Sequence, residues 1–357
     1  MLREAVPQKT SRSTAADYAP RGTVLFIGRF HRRRWIKGGI LESCHRLADE
    51  LENLGMTVNR LDVDSPLVDL RVAMLRAKET VLIYAGSWNS QDALSLRMCL
   101  SVARHVEAFV YFNAVWENSK LSRERLISVH ANAPENVGFF VFSDSAKRTV
   151  QELTGRAVLA LPKPMRRVRR GSSWVINAGS KIFLGDVSKF LNPEITPHAR
   201  EYFEALTSLV AKEKLVFVQQ YMGPAVPEWL DGSEFRPFNP DLKQLFQGIR
   251  FYVHLNKHAT FEMLPFEAFG LGFPLISVPM PQSLDEVLPN DLRLTVNSAE
   301  ELREIASELL LRNTTRERVM TQFRTYEKSR KNFACAVASN LVGQIKRHPR
   351  AVRENET

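Results

Sequence analysis

The sequence predicts an α/β protein that is built from two parallel-sheet domains. Apolar runs of strand length recur along the chain and alternate with segments of helical periodicity. A basic, proline-containing stretch over 162–173 interrupts this alternation, and we place the domain boundary there. At 357 residues, with 44% hydrophobic and 25% charged residues, the chain can bury a core in each half.

The first domain is expected over 23–165, after a non-periodic flexible tail over 1–22. An apolar run over 23–28 predicts a buried strand, and apolar residues at helical spacing over 40–54 end at Gly55, a typical helix C-cap. A strand over 56–63 completes a β-α-β unit, the building block of a parallel sheet. Further strands are predicted over 80–84, 108–112, 138–142 and 157–161, with helices around 92–106, 119–131 and 145–153.

The second domain is expected over 172–313 and repeats the alternation of a Rossmann-like sheet. Its strands are predicted near 181–185, 215–219, 251–255, 274–278 and 292–295. Its helices are predicted near 197–213, 240–248, 265–271 and 299–312. A basic helical region over 314–345 and a charged tail follow.

The chain is basic, with 49 Lys and Arg against 39 Asp and Glu. This excess favours anionic partners, namely nucleotide phosphates, anionic lipid headgroups or nucleic acid. Nucleic acid is the minority interpretation, because neither zinc-finger spacing nor an aromatic RNA-binding motif occurs. No apolar run approaches the roughly 18 residues of a membrane span, and the first residues lack an apolar leader, so we expect a cytoplasmic protein.

The three cysteines, Cys44, Cys99 and Cys335, lie far apart on apolar helical faces. We expect all three to be reduced side chains that pack in the core. No residues are assigned as metal ligands, and no cofactor is expected.

The most informative segment is 261–278, which predicts a loop, a short helix opened by Pro265, a glycine turn and a buried strand. Proline suits the first turn of a helix because its missing N–H costs nothing there. The free N–H groups and the positive dipole end of that helix can bind a diphosphate. Glu267 lies close enough to this end to reach a pair of ribose hydroxyls. The alternative is an ordinary connection with a solvent-facing Glu267.

This segment resembles the donor-binding motif of GT-B glycosyltransferases, in particular the family 4-like group (glycosyltransferase group 1). The residues that match are Phe261, Glu267, Ala268, Gly272, Pro274 and Ile276. The resemblance implies two Rossmann-like domains that face a cleft, with a nucleotide-diphosphate sugar as donor. It places the ribose-binding glutamate on Glu267. The glutamate that approaches the sugar in that family falls on Ala259, and Glu262, at a family glycine, is the candidate to substitute for it.

Three further segments resemble the same family in order and spacing. The stretch 37–40, which contains Gly39, resembles the glycine loop where donor and acceptor meet. The stretch 141–147 resembles the end of the first domain. The stretch 183–189 resembles the segment that opens the second domain in that family, and Lys189 is the candidate for the diphosphate contact.

Two other implications follow from this resemblance. Met263 and Leu264, next to Glu262, are further donor-site candidates. The region 314–345 is expected either to cross back to the first domain or to be an ordinary terminal helix.

An inverting sugar transfer needs a general base near the acceptor hydroxyl, and the strand ends of the first domain offer three. Glu117 follows the strand over 108–112, Asp144 follows the strand over 138–142, and His31 follows the first strand. We rank Glu117 first. A retaining reaction needs no such base, so the sequence leaves the stereochemistry open.

The acceptor is expected to be a glycan or a lipid-linked sugar. The cluster over 32–37, with four basic residues around Trp35, is either a solvated loop or a contact with an anionic membrane surface.

Two other functions share this architecture. One is a sugar-nucleotide epimerase, which would use a carboxylate and a histidine such as His254 or His258. The other is a catalytically degenerate, nucleotide-sugar-binding scaffold, which the alanine at position 259 favours.

Overall fold

In the computed structural model, two six-stranded sheets form the framework of the chain, and every pair of neighbouring strands is parallel. The structure describes residues 22–31, 39–85, 90–112, 120–160, 179–187, 190, 196–219, 226–239, 241–255, 263–279 and 294–311. The segments 1–21 and 312–357 and the proposed boundary over 162–173 lie outside this set, so the domain limits remain predictions.

The first sheet has the strand order β2-β1-β3-β4-β5-β6. Its elements are β1 (Thr23–Gly28), α1 (Gly39–Asn53), β2 (Thr57–Asp62), α2 (Leu67–Arg76), β3 (Thr80–Ala85), α3 (Ser90–Ser101), β4 (Ala108–Phe112), α4 (Lys120–Asn132), β5 (Val137–Val141), α5 (Asp144–Thr154) and β6 (Leu159–Ala160). All five residues of β4 are buried, as expected for a parallel strand that is covered on both faces.

The second sheet has the order β12-β11-β10-β7-β8-β9. Its elements are β7 (Lys181–Asp186), α6 (Thr196–Thr207), β8 (Leu215–Gln219), β9 (Glu234–Pro237), α7 (Leu242–Leu245), β10 (Ile249–His254), α8 (Met263–Gly270), β11 (Leu275–Ser277), β12 (Leu294–Thr295) and α9 (Ala299–Leu311). Numbered within the domain, this is the doubly wound 3-2-1-4-5-6 order. The predicted fold class, two Rossmann-like α/β sheets, is confirmed.

Two elements were missed by the sequence analysis, and each has a weak sequence signal. Helix α2 carries outward-facing apolar residues as well as buried ones, which hides its helical periodicity. Strand β9 contains charged residues and ends at Pro237, as an edge strand can. Three helices end well before their predicted last residues: α3 at Ser101, α6 at Thr207 and α7 at Leu245.

Cys44 and Cys99 are buried, as predicted. Burial raises the pKa of Cys99 to about 12, so its thiol stays protonated and unreactive at neutral pH. Cys335 lies outside the described residues. None of the described helices combines the length and apolarity of a membrane-crossing segment.

His130, on α4, is an unusual member of the first core. Its ring is 2% exposed and stacks on Phe139, with ring centroids 4.0 Å apart. Within the described part of the chain, neither ring nitrogen has a hydrogen-bond partner. Burial first, and then the positive charge of Arg156, lower the pKa of His130 to about 4. The fold therefore holds His130 neutral.

We predict that His130 destabilises the fold as the solution becomes acidic. An unfolded histidine has a pKa near 6.5, so the unfolded chain gains a proton at this residue between about pH 6.5 and pH 4 while the folded chain does not. Unfolding in urea is measured at pH 7 and at pH 4.5. Between these pH values, wild type should lose about 2 kcal/mol more unfolding free energy than His130→Phe loses. The substitution also changes packing, but that effect is the same at both pH values and cancels when the two losses are compared. The exposed His105, changed to Gln, is the control, and equal losses in His130→Phe and wild type would contradict the assignment.

Candidate functional site

Each sheet has one point where the strand order reverses. In the first sheet β1 lies between β2 and β3, and in the second β7 lies between β8 and β10. In open α/β sheets, ligands bind outside the carboxyl ends of the strands at such switch points. The candidate site therefore lies at the carboxyl ends of β1 and β3 in the first sheet and of β7 and β10 in the second.

Asp62, the last residue of β2, holds the segment that follows β1. Its carboxylate accepts hydrogen bonds from the backbone N–H groups of Phe30 (2.9 Å), His31 (2.8 Å) and Asp64 (2.9 Å). Partial burial by itself raises the pKa of Asp62, but these amide hydrogen bonds outweigh it, so the pKa lies below its ordinary value. Asp62 is therefore ionised at neutral pH.

His31 is bonded to the same carboxylate. Its Nδ1 lies 3.2 Å from Oδ2 of Asp62, and its side chain is 82% exposed. Because an ionised carboxylate only accepts hydrogen bonds, Nδ1 is the nitrogen that donates, and in the neutral imidazole Nε2 then has the lone pair. The arrangement leaves a basic nitrogen on an exposed, oriented imidazole at the carboxyl edge of the first sheet.

A buried ion pair fixes the residue before Phe30. The Arg29 guanidinium lies 3.2 Å from the carboxylate of Asp64, and the two side chains are 4% and 9% exposed. The backbone N–H of Arg29 also donates to the sulfur of Cys44 on α1, at 3.4 Å. Separating buried charges of this kind is costly. The start of the β1 loop is therefore tied to both α1 and the β2–α2 turn.

The two aspartates also have the Asp-x-Asp spacing, which can bind a divalent cation through its oxygens. This spacing was overlooked when the sequence was taken to lack an Asp-x-Asp motif, and no metal ligands were assigned for that reason. The structure uses Asp62 for loop amides and Asp64 for Arg29. Within the described ranges, no three His, Cys, Asp or Glu side chains come together as a metal-binding group.

Beside this loop, two stacked tyrosines line the core of the first switch point. Tyr84 of β3 and Tyr111 of β4 are buried, with ring centroids 5.1 Å apart. Burial is the main reason why the pKa of Tyr84 lies well above its ordinary value, and Tyr111 and Cys44 add to it. Both phenols therefore stay neutral, and the hydroxyl of Tyr84 hydrogen-bonds to Ser43 on α1. This contact ties α1 to the sheet.

The second switch point is built around Gly185 and Tyr252. Gly185, in β7, has a φ of +87°, and a Cβ atom there would lie 2.9 Å from Oη of Tyr252 in β10. The same hydroxyl is 2.9 Å from Nδ1 of His254, at the carboxyl end of β10. His254 is 2% exposed. A close-packed Gly-Tyr-His group therefore lies between the two strands that flank the crevice.

Helix α8 follows β10 at this edge. It begins at Met263, two residues before the predicted start, so Pro265 occupies the first turn rather than opening the helix. Its apolar side, including Ala268, packs with Tyr252 and Leu275 in one cluster of buried residues. Glu267 is half-buried. The predicted glycine turn is present, because Gly272 has a φ of +84°.

Comparison with known proteins establishes the fold. No protein-family model matches the sequence, and no curated protein matches it either. Among solved structures, Anabaena Alr3699/HepE in complex with UDP-glucose matches with a TM-score of 0.65 and 11% identity, over 91% of this chain and 100% of that one. The chain has the GT-B fold.

Two further GT-B structures are similar over almost their whole length. A glycosyltransferase from Rickettsia africae ESF-5 matches with a TM-score of 0.60 and 11% identity, covering 93% of this chain and 100% of that chain. T4 phage BGT in complex with its UDP-glucose substrate matches with a TM-score of 0.55 and 10% identity, covering 90% and 99%.

The candidate bases of this GT-B protein do not all lie together. Asp144 is the exposed first residue of α5 and follows β5, next to Ser143, whose side chain caps the helix. Strands β1 and β5 are three strand spacings apart, about 14 Å. His31 and Asp144 therefore follow well-separated strands. Glu117, after β4, lies outside the described residues.

The structure describes some of the donor-site candidates and not others. Gly39 is the first residue of α1, and Met263 is the first residue of α8. Leu264 packs against the buried cluster. Lys189 and Glu262 lie outside the described residues. The sequence patterns did not point to Arg29, Asp62, Asp64 or Tyr252. For the aspartates, one acidic residue at the end of a strand and another two positions later were the available signal.

The Gly185–Tyr252 contact predicts a coupled stability effect. Gly185→Ala should lower the unfolding free energy by about 2–4 kcal/mol, because it combines a left-handed backbone with a steric clash. Tyr252→Phe, which removes the clashing oxygen, should recover about 1 kcal/mol in the Gly185→Ala background. Urea unfolding of the double-mutant cycle measures this coupling.

Gly248→Ala is the matched control, because Gly248 has a φ of +71° and its nearest neighbour lies 4.0 Å away. Gly248→Ala should therefore lower the unfolding free energy only by the cost of placing an alanine in a left-handed backbone conformation. Additive effects of Gly185→Ala and Tyr252→Phe would contradict the close contact.

Proposed function

We propose that this GT-B protein is a glycosyltransferase, which moves a sugar from a nucleotide-diphosphate donor to a glycan or a lipid-linked acceptor. The observation that carries the proposal is the position of α8, whose first turn follows β10 at the switch point of the second sheet. UDP-glucose complexes of HepE and T4 phage BGT, which have the same fold, support a nucleotide sugar as the donor class.

The donor half of the proposal rests on α8. Its first N–H groups have no partner within the helix, and they and the helix dipole favour a diphosphate. Glu267 lies one turn further along, where its carboxylate accepts hydrogen bonds from ribose hydroxyls. The leaving nucleotide diphosphate is stabilised by these helix N–H groups, and in this proposal no metal ion is required.

The acceptor half rests on His31. Nε2 of His31 takes the proton of the acceptor hydroxyl while Asp62 holds Nδ1. The acceptor oxygen bonds to the anomeric carbon, and the bond from that carbon to the phosphate oxygen breaks, with its electron pair leaving on the nucleotide diphosphate. The imidazolium then returns its proton to water. Attack from the face opposite the leaving group inverts the anomeric configuration. Glu117 and Asp144 are the alternative bases.

A panel of nucleotide sugars and nucleotide diphosphates, measured by thermal shift, identifies the donor class, because a ligand that binds only the native state raises the melting temperature. Assay of the donor without an acceptor separates the other functions. An isomerised sugar nucleotide would indicate an epimerase, and binding without transfer or hydrolysis would indicate a scaffold.

Glu267→Ala should weaken binding of the stabilising nucleotide diphosphate by about tenfold to a hundredfold, the effect of losing hydrogen bonds to a charged acceptor. Titration calorimetry measures the dissociation constant. Glu304→Ala, on the exposed side of α9, is the matched control and should leave the constant unchanged. Equal affinity of Glu267→Ala and wild type would remove Glu267 from the donor site.

His31→Gln should lower kcat by about 10²- to 10⁴-fold, because a glutamine cannot take the acceptor proton. The dissociation constant for the nucleotide should stay the same. Asp62→Asn should also lower kcat, since an amide no longer fixes the Nδ1–H tautomer. His105→Gln, at an exposed histidine before β4, is the control. If His31→Gln keeps the wild-type kcat, then His31 is not the general base, and Glu117 or Asp144 becomes the candidate.

A further inference from the structure

The peptide group between Phe30 and His31, which we call the 30–31 peptide, is held from two sides. Its N–H donates to the carboxylate of Asp62 on β2 at 2.8 Å, and its C=O accepts a hydrogen bond from Nε2 of His45 on α1 at 3.0 Å. A backbone oxygen only accepts, so Nε2 of His45 carries a proton. Because a peptide group is planar, with its N–H and C=O pointing in opposite directions, these two contacts fix its orientation.

Ring packing holds His45 in place. The centroid of its half-buried imidazole lies 5.4 Å from that of the Phe30 ring, in an edge-to-face contact at 82°. Phe30 packs in the same manner against Phe26 of β1, at 5.1 Å and 90°. Edge-to-face contacts are favourable for aromatic rings. The donor nitrogen of His45 is therefore kept beside the backbone of the loop.

Helix α1 also packs closely on the end of β1. A Cβ atom at Gly28 would lie 3.0 Å from Sγ of Cys44, so the absence of a side chain there allows the helix to approach. The same sulfur accepts the N–H of Arg29 at 3.4 Å. Cys44 and His45, which are neighbours on α1, thus bind the backbone of two successive residues before His31.

The 30–31 peptide and the side chain of His31 share one acceptor. Oδ2 of Asp62 lies 2.8 Å from the peptide nitrogen and 3.2 Å from Nδ1 of the imidazole. A peptide that turned away from Asp62 would carry the imidazole away from that oxygen as well. A neutral histidine without such a contact exchanges its proton between the two ring nitrogens. The orientation of this peptide therefore decides which nitrogen of His31 has the lone pair.

We propose that His45 is a positioning residue for His31. By holding the 30–31 peptide against Asp62, it keeps the proton of His31 on Nδ1 and the lone pair on Nε2. This effect on the tautomer is independent of the reaction. The effect on rate rests on the proposed function, in which Nε2 of His31 is the general base, and a displacement of about 1 Å in such a group can cost about a hundredfold in rate.

The tautomer is tested by NMR on the full-length protein with ¹⁵N-labelled histidine, at about pH 8, where ordinary histidines are neutral. The signals that disappear in His31→Gln identify this residue among the eight histidines. Wild type should show a protonated Nδ1 at His31. His45→Phe, which keeps a ring but has no donor, should show Nε2–H as the larger population, and His45→Leu should do the same. His45→Gln, whose amide can donate from a similar position, should keep the wild-type tautomer.

The rate is tested with the nucleotide sugar that most raises the melting temperature. His45→Phe should lower kcat about tenfold to a hundredfold and leave KM for that donor unchanged. In the His31→Gln background, His45→Phe should not lower kcat further, because His45 acts through His31. Leu54→Ala, at a partly buried leucine just beyond the other end of α1, is the control. It should lower the melting temperature and change neither the tautomer nor kcat.

Three results would overturn the proposal. One is a wild-type protein in which Nε2 of His31 carries the proton, and another is a folded His45→Phe or His45→Leu protein that keeps the Nδ1–H tautomer. The third is a His45→Phe effect on kcat that is equally large with and without His31.

A failure of the proposed function has a different signature. In that case His31→Gln keeps the wild-type kcat, while the tautomer of His31 still changes in His45→Phe. The positioning by His45 would then stand, and the role of His31 as the base would not.

Discussion

The parallel alignment of all strands is the constraint on which the site depends. Because every described strand pair runs in the same direction, the segments that leave the carboxyl ends gather at one edge of each sheet. The two switch points then single out one crevice at each edge, beside β1 and beside β7. The candidate functional residues do not form this geometry themselves. They are placed on it by buried strands such as β4, whose apolar residues pack on both faces.

The two edges differ in how they are made rigid. At the first edge, charge fixes the chain: Asp62 binds successive amides, and Asp64 pairs with Arg29 in a buried contact. At the second edge, packing fixes it, because Tyr252 fills the space that Gly185 leaves open. In the proposed reaction, a base and a phosphate site that are held in place would lower the reorganisation that accompanies transfer. The structure thus supplies fixed elements on both sides of the proposed reaction.

Much of the fold could be predicted because its strands are apolar runs between helices of clear periodicity. The failures have physical causes. Helix α2 was missed because its outward-facing side also carries apolar residues. The role of Asp62 was missed because an acidic residue at a strand end does not show which loop it binds, here one 31 positions earlier. Glu267 is a candidate through a resemblance of local sequence, and its role stays a prediction. Tyr252 was missed because its contact with Gly185 joins two strands that are distant in the chain.

The central claim is that α8 binds the diphosphate of a nucleotide sugar. It is tested most directly by a crystal structure of the protein with the nucleotide diphosphate that most raises its melting temperature. The account predicts phosphate oxygens within hydrogen-bonding distance of the first N–H groups of α8, and ribose hydroxyls on the carboxylate of Glu267. A nucleotide bound elsewhere, with the first turn of α8 covered by protein, would contradict it.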